Sequence, residues 1–356
     1  MWKEDVMKSR EQRERELIDS GLVDSVKAQF RNVNHNISDK YFILMADYID
    51  SIGQLDFEGG LYLDPVNVAK SLPQLLSSVM DVNLGGIHGR TTDDERTNKS
   101  KIEMNSTMDY QSTKLYFFHE LTHALQTRKI DNHEECAFYN GKTGMFLTEG
   151  ATQFTAEILY NVSNGTNIQY RQQPGTVRGH REHIPYSALS EYQLNGNIIM
   201  LLSTSLGIPL NQILALGYRK DGRQQLKEMY EVIPGNEGKF EEFMFELEQI
   251  YSIDKLLIAG YGNQLQGAPL NIEMQDGQTF VGNIQTQGDL INKVERELAA
   301  SFLANNETDY VLANYNKVAQ YLTTPQLQQS FMNAINEIAT MQNSNIQEQT
   351  QSGPRK

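Results

Sequence analysis

The segment Phe118-His119-Glu120-Leu121-Thr122-His123-Ala124 decides how this chain is read. At helical spacing His119 and His123 fall one turn apart on one face, so both imidazoles reach a single metal ion. Glu120 stands beside the first histidine, in place to act on a water at that metal. No Gly or Pro interrupts Tyr116 to Lys129, and Leu115, Phe118, Thr122 and Leu125 form an apolar-leaning stripe. The segment is therefore expected to be a helix. The alternative is that the two histidines are ordinary residues of a buried helix face. Against it, the composition gives roughly 0.01 chance matches to His-Glu-x-x-His along the chain.

A catalytic zinc takes three protein ligands and keeps a fourth position open. Downstream, Met145-Phe146-Leu147-Thr148-Glu149-Gly150-Ala151-Thr152-Gln153-Phe154-Thr155-Ala156-Glu157 leads into apolar Ile158 and Leu159. This reads as a second helix with Glu149 in its first turn. The 25 residues between His123 and Glu149 are enough to turn back and lay it beside the first. Glu157, two turns further along, is the alternative third ligand. Gln153, one turn after Glu149, is placed to hydrogen-bond a ligand.

These motifs resemble the gluzincins, metallopeptidases with a His-Glu-x-x-His helix and a glutamate ligand on a following helix. Leu147-Thr148-Glu149-Gly150-Ala151 looks like the start of that glutamate helix, in which the Glu before Gly is the third ligand; the role passes to Glu149. The resemblance covers roughly residues 85 to 205 and selects no family within the superfamily. Many gluzincins carry an acid where this chain has Gln153. The metzincin pattern is excluded, because it needs a Gly and a His where Gln126 and Lys129 stand.

The resemblance implies one Zn²⁺ per chain and hydrolysis of peptide bonds through a zinc-activated water, with Glu120 as general base. It also implies a further donor for the developing oxyanion, from a Tyr or His on a later helix. Tyr192 is the expected donor, since it opens a Tyr-x3-Gly run followed by apolar residues. That spacing is one residue longer than in the family pattern. Tyr186 is the alternative, and His180, Arg181 and His183 form a third option on a polar stretch. Peptidases of this type hold substrate as an added strand on a sheet edge. Lys101-Ile102-Glu103-Met104-Asn105, shortly before the first helix, is expected to supply that edge.

Composition narrows the partners. Lys+Arg 31 against Asp+Glu 45 gives a net charge of −14, which argues against nucleic acid or an anionic membrane. The expected partner is a peptide or protein substrate, and the oligomeric state stays open. Cys136 is the single cysteine, so no intramolecular disulfide forms. No apolar run approaches the length of a membrane span, and the charged N-terminus has no secretory character, so a cytoplasmic location is expected.

The expected fold is α+β and mostly helical: a gluzincin-like catalytic domain with a small sheet, paired active-site helices and a helical C-terminal half. Residues 1–82 read as an N-terminal helical part, beginning with a helix over residues 1 to about 30. A second helix covers Tyr41 to Ile49, and a third lies within Asp64 to Met80. Residues 83–257 read as the zinc peptidase core, with strands at Leu84–Arg90 and Ser100–Asn105 and helix dominating from Tyr116. Residues 258–341 hold a hairpin at Gln275-Asp276-Gly277-Gln278 and three helices near 288–303, 307–322 and 325–340. Residues 342–356, rich in Asn, Gln and Ser, are expected to be a disordered tail.

Lacking a clear acidic group to capture a substrate amino terminus, the chain is expected to be an endopeptidase rather than an aminopeptidase. Two rivals remain: a non-catalytic zinc-binding interaction protein, and an effector or toxin protease with one protein target. A purely structural zinc gains nothing from a base, so Glu120 favours an enzyme over the first.

Overall fold

A computed structural model describes residues 9–54, 63–94, 96–130, 133–165 and 193–351. The fold is α+β and mostly helical. In chain order the elements are α1 (Arg10–Asp19), α2 (Leu22–Gln29), β1 (Asn36–Ile37), α3 (Asp39–Gln54), α4 (Pro65–Leu75), β2 (Leu76–Val82), β3 (Gly89–Asp94) and β4 (Lys99–Asn105). Then come α5 (Tyr110–Gln126), β5 (Thr127–Ile130), β6 (His133–Cys136), α6 (Met145–Ser163), α7 (Gln193–Leu206), α8 (Leu210–Leu216), α9 (Gly222–Glu231) and α10 (Phe240–Ile258). The chain continues with α11 (Gly262–Leu265), β7 (Leu270–Glu273), β8 (Thr279–Gly282), α12 (Ile284–Asn305), α13 (Thr308–Ala319) and α14 (Pro325–Gln351).

Two compact units share these elements. The first holds residues 1–137, 151–171 and 214–222; the second holds 138–150, 172–213 and 223–356. Helix α6 runs unbroken through the division at Gly150.

In the first unit a four-stranded sheet has the order β1-β2-β4-β3, with β2 parallel to both β1 and β4 and β3 antiparallel to β4. Helix α5 lies against β3 and β4. Asp109 starts α5 by accepting the Ser112 N–H at 2.8 Å, and extended Thr127 ends it. Between these caps Phe117, Phe118, Leu121 and Ala124 are buried with Leu44, Met45 and Tyr48 of α3 and with Leu159 of α6. Full burial of each large apolar side chain stabilises by about 1.5–3 kcal/mol, so α5 is fixed over its whole length. A buried ionic cluster adds register: Asp47 on α3 meets Arg13 on α1 and Lys114 on α5, each at 2.8 Å.

In the second unit α12 packs against α7 and α10, burying Leu298 and Phe302 along with Ile198, Leu202, Met244 and Leu247. The Asp276-Gly277 hairpin forms as expected, joining β7 and β8 and covering Ile253 and Leu265.

Several expectations need correction. The N-terminal helix is two helices, divided at Ser20-Gly21, where Gly21 takes φ 75°. The strand expected at Leu84–Arg90 begins at Gly89, because Asn83 and Gly85 form a turn held by the Asn83 side chain. Strand β4 is not an edge: β2 and β3 flank it, and β3 is the outer strand. Helix α5 starts at Tyr110, and the run assigned to helix after it contains the β5–β6 hairpin. The tail expected to lack structure after Met341 is helical to Gln351. Among the described residues no single helix is long and apolar enough to cross a membrane.

Candidate metal centre

Helix α5 carries His119 and His123 with their rings 4.6 Å apart between centroids and their Nε2 atoms 3.0 Å apart. The far side of each ring is occupied. His119 Nδ1 lies 2.8 Å from Gln153 Oε1, and an amide oxygen only accepts, so Nδ1 carries the hydrogen and Nε2 keeps its lone pair. His123 Nδ1 faces Thr152 Oγ1 at 3.4 Å and Cys136 Sγ at 3.7 Å. The two Nε2 atoms lie on the side of the rings away from these partners and face each other. With Zn–N near 2.0–2.1 Å, two nitrogens on a tetrahedral zinc stand about 3.3 Å apart. The pair needs to open by only a few tenths of an ångström.

Glu149 precedes Gln153 by one turn on unbroken α6, and one ligand atom from each of His119, His123 and Glu149 lies within 4.8 Å of the others. Two imidazoles and one carboxylate fit the donor chemistry of a catalytic zinc, which takes three protein ligands. Glu157, the alternative ligand, is outside this group and accepts from Gln153 Nε2 at 3.4 Å. The result is a chain from His119 through the Gln153 amide to Glu157, the arrangement that fixes a ligating imidazole.

Glu120 is also outside the ligand group. Its side chain is 6 % exposed, and Oε2 accepts the Thr91 hydroxyl at 2.7 Å. Thr91 lies on β3, the outer strand, as does Gly89. A Cβ on Gly89 would sit 3.0 Å from Glu120 Cγ and 3.2 Å from Oε1, so the glycine leaves room for the carboxylate beside the strand.

The start of α6 is braced within the second unit. A Cβ on Gly150 would meet Ile199 Cδ1 at 2.6 Å and Asn195 Cβ at 2.9 Å, so the residue after Glu149 must be glycine for α7 to approach. Asn195 also donates to the Phe146 carbonyl at 2.8 Å. Glu248 on α10 accepts the Gly144 and Met145 N–H groups, both at 3.0 Å, and burial pushes its carboxyl up to about 7. Tyr251, one turn on, donates to Glu149 Oε1 at 3.3 Å. Burial, and then the nearby Glu149 and Glu248 carboxylates, push the Tyr251 phenol well above its usual value, so it is a donor at neutral pH.

Sequence reading missed Thr91, Thr152, Glu248 and Tyr251 as contributors. Thr91 lies 29 positions from Glu120 and Tyr251 lies 102 from Glu149, and neither sits in a local pattern. Thr152 was open to inference, because it shares a helix with Glu149 and Gln153. Tyr192, Tyr186, His180, Arg181 and His183 lie outside the described residues. No protein-family model, curated protein or solved structure matches the chain.

Proposed function

We propose that the chain is a zinc-dependent peptidase of gluzincin type, with His119, His123 and Glu149 as ligands and Glu120 as general base. The observation that carries this reading is the separation of roles. One ligand atom from each of His119, His123 and Glu149 lies within 4.8 Å of the others, while the buried Glu120 carboxylate accepts the Thr91 hydroxyl.

A zinc in this site supplies a Lewis acid for the scissile carbonyl and lowers the pKa of a water beside it. The other steps belong to the protein. Gln153 holds the tautomer of His119, and Thr152 with Cys136 holds His123. Thr91 keeps the Glu120 carboxylate turned along β3, where it takes the proton of the attacking water and passes it to the leaving amine. An extended peptide added to the outer side of β3, which is unpaired among the described residues, would lie along the strand whose Thr91 holds Glu120. The oxyanion donor is assigned to Tyr192.

The test is Glu120→Gln, which keeps the volume of the side chain and an acceptor for Thr91. Elemental analysis should find about one zinc per chain in both proteins. On a diverse peptide mixture, the variant should cut roughly 10²–10⁴-fold more slowly than the wild type. Equal cleavage by both would remove Glu120 from the mechanism. Full zinc with no cleavage by either would favour the non-catalytic zinc protein.

A further inference from the structure

The brace at the start of α6 has more parts than helix packing requires, and its last member ends on a carboxylate that the reading above assigns to the metal. Glu248 and Tyr251 are three residues apart on α10, so they project from the same face of that helix. Glu248, wholly buried, caps the first turn of α6 through two backbone N–H groups. Tyr251, buried beside it, reaches Glu149 Oε1 with its hydroxyl. The turn before α6 tolerates no side chain. Gly144 has φ 110°, and a Cβ there would lie 2.2 Å from the Phe138 carbonyl oxygen. That carbonyl and the Thr143 carbonyl both accept from Arg223 Nη1, at 2.8 and 3.0 Å. The backbone that carries Glu149 is thus fixed by Arg223 and Glu248, and its carboxylate by Tyr251.

We infer that Tyr251 is a positioning residue for the metal: its hydroxyl holds one Glu149 oxygen and leaves the other turned toward His119 and His123. The inference rests on the zinc reading of the three donors. A carboxylate ligand free to rotate spends part of its time turned away from the metal and must be ordered when the metal binds. A donor on its second oxygen prepays that ordering. Partners of this kind typically contribute 10–100-fold to metal affinity. The sequence holds no local sign of the role, since α10 is far from the motif and Tyr251 stands among mixed polar and apolar residues with no pattern that singles it out.

The experiment measures zinc affinity of the full chain, stripped of metal, by competition with a chromophoric chelator. Four proteins are compared: wild type, Tyr251→Phe, Glu149→Ala and the double variant. Phe keeps the ring and its packing, so the metal-free melting temperature of Tyr251→Phe should match that of the wild type. Its zinc affinity should fall 10–100-fold. In the Glu149→Ala background the same change should have no further effect, because the hydroxyl then has no ligand to hold. An equal loss in both backgrounds would show that Tyr251 acts elsewhere. Unchanged affinity with lost turnover would move the hydroxyl to the substrate and overturn the inference. Tight zinc binding in wild type with unchanged affinity in Tyr251→Phe defeats this inference alone. Absent zinc binding in wild type, or full affinity in Glu149→Ala, takes the three-ligand reading down with it.

Discussion

Replacing Asp47 by Ala should cost the protein about 3–5 kcal/mol, through a lysine left without its counter-charge. The Asp47 carboxylate is 1 % exposed and is bonded to Arg13 Nε at 2.8 Å, Lys114 Nζ at 2.8 Å and Ser163 Oγ at 2.7 Å. Without it Arg13 still holds Asp50 at 2.6 Å. Lys114, 2 % exposed, then keeps the neutral oxygens of Ser163 and Asn164 and the rings of Phe118 and Tyr160. Burial already pulls the Lys114 ammonium below the ordinary lysine value, and Asp47 is the main group opposing that pull. The cost therefore comes chiefly from one uncompensated buried cation. It follows that Lys114→Met in the Asp47→Ala background should restore stability, since it removes the stranded charge. The assay is urea denaturation at pH 7, comparing midpoints and slopes for the two single variants and the double. A cost under about 1 kcal/mol for Asp47→Ala, or a double variant no more stable than Asp47→Ala, would refute the stranded charge as the cause. Because the cluster joins α1, α3 and α5 to Ser163 at the end of α6, Asp47→Ala should also weaken zinc binding.

Three other expectations follow from the geometry. Gln153→Leu removes the acceptor for His119 Nδ1; chelator competition should show a 10–100-fold loss of zinc affinity with the helix content unchanged in circular dichroism. Gly150→Val sets a side chain against Ile199 and Asn195; it should lower the unfolding midpoint by an overpacking cost of about 1–3 kcal/mol. Glu295 on α12 is pushed up to about 7 by burial, with Thr323 donating to it through both N–H and hydroxyl. A raised folded-state value means stability is fully present below the unfolded value near 4.5 and is lost as pH rises to about 7. The loss is roughly 3 kcal/mol for a gap of this size. Glu295→Gln should flatten that segment of the stability–pH curve, and an unchanged curve would show that this carboxyl does not govern it.

The sequence made some of this legible for reasons that can be named. Helix α3 was readable because Tyr41 to Ile49 is apolar but for Asp47 over a helical length, and the β7–β8 hairpin because Asp-Gly fits few other turns. The two histidines and Glu120 were readable because a helix maps sequence spacing directly into distance. Other features were not local. Leu76–Val82 reads as a continuation of the helix before it, and its strand character comes from pairing with β4. The β5–β6 hairpin is polar, and its pairing follows directly on the end of α5 with no Gly to mark the change. Lys101–Asn105 alternates as any half-buried strand does, so only the pairing on both sides revealed it as an inner strand. Thr91 and Tyr251 reach the site through tertiary packing alone.

The outer position of β3 has a consequence for how the protein meets other chains. An open strand edge offers only backbone groups, and these do not distinguish a peptide from the matching edge of a second copy. Left bare, such an edge promotes association of folded chains. Here the strand has six residues, three of them charged (Arg90, Asp93 and Asp94), on a chain of net charge −14. Two folded copies approaching edge to edge repel over their whole surfaces, whereas a short extended segment with little negative charge does not. Charge and length together therefore disfavour pairing of this edge with a second copy more than pairing with a short neutral or basic segment.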